Sequence, residues 1–299
     1  MTPPSSLTLI SPAKVNLFLE VLSRREDGFH EIDSVLATID LHDQIEILPT
    51  ENSGIVLETD TPSLPRDREN LIVQAAELFF DQTRARGGIT IRLKKQIPVG
   101  SGLGGGSSNA TTTLLGLDRL YETQLHPSIL EEWAARIGSD CPFFVRGPDS
   151  GWARIRGRGE RVQPLSPPTT PLSLILLLPP FPVATPEIYR HSDELLTGDR
   201  VSCEKLTDHL QQSSPSQKPI DSALFNRLTR TARNRSPLLN QFFHDVAEAI
   251  HHPIHLSGSG SAAFLLFEQP TPPAKTLADL KENFSGARVL SCRFQPHHR

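Results

Sequence analysis

The segment with the clearest chemistry runs Pro98-Val99-Gly100-Ser101-Gly102-Leu103-Gly104-Gly105-Gly106-Ser107-Ser108-Asn109-Ala110. A glycine run lets backbone N–H groups curl around an anion without Cβ clashes, and a helix that starts behind it adds unpaired donors and the positive end of a dipole. The segment is therefore a phosphate cradle. Ser107 and Ser108 stand where an N-cap is expected, with hydroxyls able to serve the helix, a phosphate oxygen or a metal. Gly100-x-Gly102-x-x-Gly105 formally matches a dinucleotide fingerprint, but that reading needs a second strand ending in an acid about 20 residues on. Two helices follow here instead. A Walker loop is excluded because no Gly-Lys-Ser/Thr closes the run.

Elsewhere, single residues say less. Lys14 sits in the apolar Ala13-Lys14-Val15-Asn16-Leu17, which favours a buried or partnered lysine over a solvated one. Asp140 alone reads as a turn aspartate at a helix end. Phe29 and Tyr189 alone read as core aromatics, and Ser257-Gly258-Ser259-Gly260 as a serine-glycine turn.

The elements that must carry these residues follow from periodicity. Alternation in 7–10, 15–21, 45–48, 55–57 and 89–97 predicts strands. Leu71, Ala75, Leu78 and Phe79 predict a helix over 70–86, closed by Gly87-Gly88, and a further helix is expected over 110–121. The local unit is strand, glycine loop, helix. A helix over 127–137 leads into Asp140-Cys141-Pro142-Phe143-Phe144, where the proline and aromatics predict a turn into an extended segment. The apolar run 172–178 is a buried strand, too short to span a bilayer. Helices are expected near 186–196, 221–232 and 237–250, a loop over 211–219, and strands near 262–267 and 287–294.

With 299 residues, 37% of them hydrophobic, the chain is long enough for two cores, and proline clusters after Pro164 suggest a boundary there. A net charge of -4 with scattered basic residues offers no field for nucleic acid. Cys141, Cys203 and Cys292 are odd in number, far apart and without histidines at metal spacing, so neither disulfides nor zinc are expected. The first residues lack the regions of a signal peptide. A cytoplasmic protein, not bound to a membrane, is the expectation.

The loop resembles the phosphate loop of the GHMP kinase superfamily, Pro-x-x-x-Gly-Leu-Gly-Ser/Gly-Ser-Ser. Ser11-Pro12-Ala13-Lys14-Val15-Asn16-Leu17-Phe18-Leu19 is similar to that family's first motif, and Leu256-Ser257-Gly258-Ser259-Gly260-Ser261 to its C-terminal glycine motif. Further motifs, Arg25-x-Asp27-Gly28-Phe29-His30-Glu31, Asn70-Leu71, Gly138-Ser139-Asp140-Cys141-Pro142-Phe143-Phe144 and Thr185-Pro186-x-x-Tyr189, resemble the branch that phosphorylates a cytidine-diphosphate-linked methylerythritol in non-mevalonate isoprenoid synthesis. Phe29 replaces a common tyrosine, Ser101 a common glycine or alanine, and serines replace threonines in the last motif.

The resemblance implies an α+β fold of two domains: a ribosomal-protein-S5-like nucleotide domain, 1–165, and a ferredoxin-like substrate domain, 166–299. It implies ATP and Mg²⁺ as cofactors, a small-molecule substrate carrying a cytidine diphosphate group, and leaves a homodimer open. By the resemblance, Asp140 is the base and Lys14 its partner. Phe29 and Tyr189 sandwich cytosine, while His30 reads its edge. Asn16, Thr185 and the Ser257–Gly260 turn face the substrate, and Asn70 and Lys95 line the adenine pocket. The Phe29-His30 pair argues against a mevalonate or homoserine kinase. Lys14 and Asp140 together argue against a sensor without catalysis.

Overall fold

The computed structural model describes residues 6–51, 53–146, 150–192, 200–211 and 219–295. Two long strands, β1 (Leu7–Arg24) and β2 (His30–Thr50), form an antiparallel hairpin. Their register shifts between Pro12 and Ala13 and again between Asn16 and Phe18. Bulges of this kind re-aim side chains, and these two bracket Lys14 and Asn16. The strands expected at 7–10 and 15–21 are thus one bent strand.

The parallel pair β3 (Gly54–Thr59) and β4 (Gly88–Lys94) extends the sheet through β4 to β2, and the hairpin β5 (Trp152–Gly157) and β6 (Arg161–Pro164) joins β2 farther along. Four helices cover it: α1 (Leu71–Gln82), α2 (Gly105–Leu120), α3 (Pro127–Ile137) and α4 (Cys141–Arg146). Ile45, Ile47, Ile89 and Ile91 from the strands meet Ile72, Phe79, Leu114 and Leu117 from the helices in one apolar cluster.

A second sheet has the order β11-β7-β10-β9, every pair antiparallel: β7 (Ser173–Leu178), β9 (His255–Leu256), β10 (Ala263–Phe267) and β11 (Arg288–Arg293). Leu174, Leu176 and Leu178 of β7 pack with Val15, Leu17, Val35 and Ala37 of the first sheet. Ile175 and Leu177 face the other way, against Phe243 and Val246 of α8 (Pro237–Ile250) and Leu280 of α9 (Ala274–Asn283). Burial on both faces explains why this strand is apolar without alternation. The remaining elements are α5 (Thr185–Ser192), α6 (Glu204–Gln211), α7 (Leu228–Arg235), a 3-10 turn at Ile220–Ala223 and β8 (Phe225–Asn226), which returns to pair in parallel with β1. No helix among the described residues is long and apolar enough to cross a membrane.

The architecture is the α+β arrangement expected, with local corrections. α1 ends at Gln82, well before Gly87, with Thr83 as its extended C-cap. The segment after Asp140 is helical: Pro142 occupies the first turn of α4, where a missing N–H costs nothing. The region 221–232 is split between the 3-10 turn, β8 and α7. Hairpin β5–β6 and helices α6 and α9 were not anticipated, because short amphipathic segments carry weak periodicity. The expected loop at 211–219 lies, apart from its two ends, outside the described residues.

Candidate active site

The glycine loop emerges from β4 and enters α2. Gly104 is the N-cap of α2 with φ +69°, in the left-handed region that glycine adopts freely. This corrects the expected cap at Ser107 and Ser108, which instead sit in the first turn. The glycine run can continue into the helix because tertiary packing outweighs its poor intrinsic propensity. Ser108 is fully buried and shares a 2.8 Å hydrogen bond with Ser11, so its hydroxyl is committed to the interior. Gly102, at φ +78°, is required by close approach: a Cβ there would lie 2.3 Å from the Ser257 carbonyl oxygen. Two sequence-distant glycine motifs therefore touch backbone to backbone. Ala262 N–H also donates to Ser101 O at 3.0 Å, and Ser257 Oγ donates to Gly102 O at 3.1 Å.

A buried carboxylate holds both ends of this loop. Asp43 accepts from the Gln96 and Ile97 N–H groups at 2.6 and 2.8 Å, before the loop, and from Asn109 Nδ2 at 2.9 Å, behind it. Lys95 pairs with the same carboxylate. Burial lowers the Lys95 pKa, and the Asp43 charge opposes that shift. Nothing in the Leu41-His42-Asp43 pattern signals this role, because only tertiary folding brings residue 43 to residues 95–109.

Two cavities meet at the loop. One, about 440 Å³, is lined by Leu64, Asn70, Leu71, Leu93, Lys95 and the loop from Pro98 and Val99 through Gly100, Leu103, Gly105 and Gly106 to Ser107. Asn70 spends its side chain on structure there, accepting from Ile72 N–H at 3.0 Å as the cap of α1 and donating to Pro65 O at 2.8 Å. The other cavity, about 670 Å³, holds Lys14, Asn16, Phe29, His30, Asp140, Thr185, Tyr189, Gly258 and Ser259 together. Gly102, Gly104, Ser107 and Thr185 line both, so the loop is their common wall.

Against that wall on the larger cavity's side, Lys14 Nζ lies 3.3 Å from Asp140 Oδ2 and donates to Asn16 Oδ1 at 2.6 Å and Gly102 O at 3.0 Å. Lys14 is 3% exposed, so its ammonium is spent among these three acceptors rather than on solvent. Asn16 is itself fixed, donating from Nδ2 to Ser34 Oγ at 3.0 Å, and Ser34 donates to Phe18 O at 2.6 Å. Asp140 sits just ahead of α4, between Ser139 and the buried Cys141. Burial pushes the Cys141 thiol up to about 12, which keeps it uncharged beside the carboxylate.

At the far end, Phe29 is 46% exposed on the tight turn between β1 and β2, with the Arg158 guanidinium 4.8 Å from its ring centre. Tyr189, on α5, packs against the His30 ring at 5.6 Å, and burial raises its phenol pKa. Thr185 shares a 2.6 Å hydrogen bond with Ser259, tying α5 to the serine-glycine turn. Ser257 is fully buried, bonded to the Asn16 N–H at 3.3 Å, and Gly260 N–H closes the turn on Ser257 O. Sequence reasoning missed the cations on this cavity: with Lys14, it is lined by Arg24, Arg158 and Arg190, against Asp140 as its acid among the described residues. Gly157 and Gly159 around Arg158 were the available signal, since a Cβ on Gly159 would fall 2.0 Å from Ser139 O. An electropositive cleft of this size, ending in a lysine-paired carboxylate beside an anion cradle, suits transfer of a phosphoryl group to an anionic, partly aromatic acceptor.

Residues 70–148 match the model of the GHMP kinases N terminal domain, and with the two-sheet architecture this makes the chain a GHMP kinase in class. A homoserine kinase from Cytophaga hutchinsonii shares the fold at TM-score 0.66, with 18% identity over 99% of this chain and 97% of that one. Within the class, the chain belongs to the 4-diphosphocytidyl-2-C-methyl-D-erythritol kinase family. It is 37% identical to the Pelotomaculum thermopropionicum member over 86% of this chain and 88% of that one. A crystal structure of a 4-(cytidine 5'-diphospho)-2C-methyl-D-erythritol kinase superposes at TM-score 0.75, 33% identical, covering 96% of this chain and 99% of that one.

Proposed function

We propose that the chain transfers the γ-phosphate of ATP to the free C2 hydroxyl of 4-diphosphocytidyl-2-C-methyl-D-erythritol, a step of non-mevalonate isoprenoid precursor synthesis. The observation that carries the reading is the Lys14–Asp140 pair, 3.3 Å apart, in the cation-lined cavity, with Lys14 held against Gly102 and Gly104 of the loop that divides it from the anion cradle. ATP lies along the glycine loop with its base toward Leu64, Leu71 and Asn70. Asp140 takes the hydroxyl proton as the phosphoryl group crosses the loop, and Lys14 orients that hydroxyl and offsets charge on the transferring oxygens. Phe29 and Tyr189 hold the cytosine, His30 reads its edge, and Asn16, Thr185 and the 257–260 turn hold the linking part of the substrate.

Mg²⁺ completes the reading by neutralising charge on the triphosphate. No cluster of three acidic, histidine or cysteine side chains exists among the described residues. Of the two loop serines, Ser107 lines both cavities and its hydroxyl would hold the ion beside the phosphates, whereas Ser108 is buried and bonded to Ser11. The division into a nucleotide part to residue 165 and a substrate part beyond it rests on β6 ending at Pro164 and the second sheet starting at Ser173. The cleft takes Lys14, Asn16, Phe29, His30 and Asp140 from the first part and Thr185, Tyr189, Gly258 and Ser259 from the second. Every residue named comes from one chain, and a homodimer stays open. A cytoplasmic location accords with three buried free thiols.

A coupled assay offering the cytidylyl substrate, mevalonate and homoserine side by side tests the reading. Turnover of the cytidylyl compound, with the other two slower by a hundredfold or more, is expected. Equal turnover of all three, or of none, overturns it.

A further inference from the structure

The serine-glycine turn at 257–260 lies on the substrate cavity, yet it has no secondary structure of its own to hold it. Within it, Ser257 N–H donates to Ala262 O at 2.9 Å and Gly260 N–H to Ser257 O at 3.0 Å, whereas the Gly258 and Ser259 N–H groups have no backbone partner among the described residues. Side chains of Ser257 and Ser259 tie the turn to Asn16, Gly102 and Thr185, and the outside side chain that holds its carbonyls is Asn226. Its Nδ2 donates to Leu256 O at 2.9 Å and to Gly258 O at 2.8 Å, and its Oδ1 accepts from Leu228 N–H at 2.9 Å. Both amide hydrogens and the amide oxygen are thus engaged.

Asn226 is itself anchored to the strand that carries Lys14 and Asn16. It pairs with Leu19 in the parallel β8–β1 contact, and the next residue donates from its backbone N–H to Leu19 O at 2.8 Å. That residue, Arg227, also holds Glu20 through two contacts of 2.7 and 2.6 Å, while Glu20, almost fully buried, accepts from the Val21 and Val201 N–H groups. The chain between residues 225 and 227 therefore bolts the serine-glycine turn to β1.

We propose that Asn226 is a positioning residue for phosphoryl transfer: by holding the Gly258 carbonyl on its own side of the turn, it aims the Ser259 N–H into the substrate cavity as a donor to the acceptor molecule. A trans peptide is planar, with its N–H antiparallel to its C=O, so capturing one group fixes the direction of the other. Asn226 touches no substrate. It acts through the Gly258–Ser259 peptide, and the inference rests on that turn facing the acceptor rather than ATP.

Asn226→Asp tests this with almost no change in volume. It replaces the donor with a carboxylate oxygen facing two carbonyls, so the turn should lose its clamp. The expected result is a drop of about tenfold to a hundredfold in kcat/KM for the cytidylyl substrate, the scale of small misplacements at reacting centres. The KM for ATP should stay within twofold of wild type. Lowering the pH from 8 to 5.5 should narrow the gap to wild type measured at the same pH, since the two facing carbonyls raise the introduced carboxyl's pKa and its protonated form regains one O–H donor. Asn226→Ala, which adds no repulsion, should show the same selective loss and no recovery at low pH. Wild-type kinetics for the cytidylyl substrate in both variants overturn the proposal. So does a parallel loss of ATP binding, acceptor binding and thermal stability, which marks a general structural role. A wild-type chain that turns over mevalonate or homoserine but not the cytidylyl compound overturns the functional reading instead, and there the same selective loss measured on the accepted alcohol decides for or against Asn226.

Discussion

The two cavities on either side of the glycine loop are built from different material. On the nucleotide side, the wall is mostly backbone, and three of the polar side chains that reach it are already employed: Asn70 caps a helix, Lys95 pairs with Asp43, and Asn109 donates to Ser11 and Asp43. On the substrate side, the wall is made largely of side chains from β1, β2, α5 and the loops between elements, among them Lys14, Asp140, Phe29 and Tyr189. Phosphate is the same in every nucleotide, so a backbone cradle recognises it with little demand on side-chain identity. A particular alcohol on a particular base needs placed groups. Substitutions on the substrate side should therefore change chemistry and selectivity, whereas side-chain substitutions on the nucleotide side should first change folding.

The largest effect that follows falls on Asp140. Asp140→Asn keeps the shape and removes the base, so kcat should fall by on the order of 10²-fold or more while ATP affinity by calorimetry stays near wild type. A variant with near-normal kcat would take Asp140 out of the chemistry and erase the contrast between the two sides.

A smaller effect is expected at the base-binding end. Phe29→Ala or Tyr189→Ala should cost about 1–3 kcal/mol of acceptor binding, the range for bases on aromatic side chains, and appear mainly in KM for the cytidylyl substrate. The two positions sharpen the comparison differently. Phe29 is 46% exposed and its loss should leave stability alone, whereas Tyr189 packs against the apolar cluster of the second sheet and its loss should also lower Tm. A matching rise in KM for ATP would show that the cavities are not separate.

The smallest effect tests the nucleotide side directly. Asn70→Ala removes the cap of α1 and should cost about 1 kcal/mol of stability in denaturant unfolding, with KM for ATP changed by less than threefold. A large rise in KM for ATP without loss of stability would mean that the amide reads the nucleotide, and the division between backbone and side-chain recognition would fail on this side.

How much of this was legible beforehand differs from element to element. The glycine loop, the long helices at 127–137 and 237–250 and the buried strand at 172–178 announce themselves by composition and period, because each satisfies its own local rule. By contrast, Phe29, Tyr189 and Asp140 carry no local signal that separates a functional aromatic or aspartate from an ordinary one, and only their resemblance to family motifs singled them out. Asp43, Arg158 and Asn226 were not seen, since each acts on segments 50 or more residues away or on a turn whose direction is set elsewhere.

Local sequence was enough to place the glycine loop between a strand and a helix, to mark the long helices and the buried strand, and to show which family the motifs resemble. These depend on short-range facts: glycine's backbone freedom, apolar period and the spacing of a few polar groups. It took the folded chain to set Gly104 rather than a serine as the cap of α2, to turn Ser108 and Lys95 inward, and to bring Gly102 to Ser257 across 155 residues of chain. Those outcomes are set by which buried polar groups find partners once the sheets close, and no local pattern encodes a partner that arrives from a distant segment.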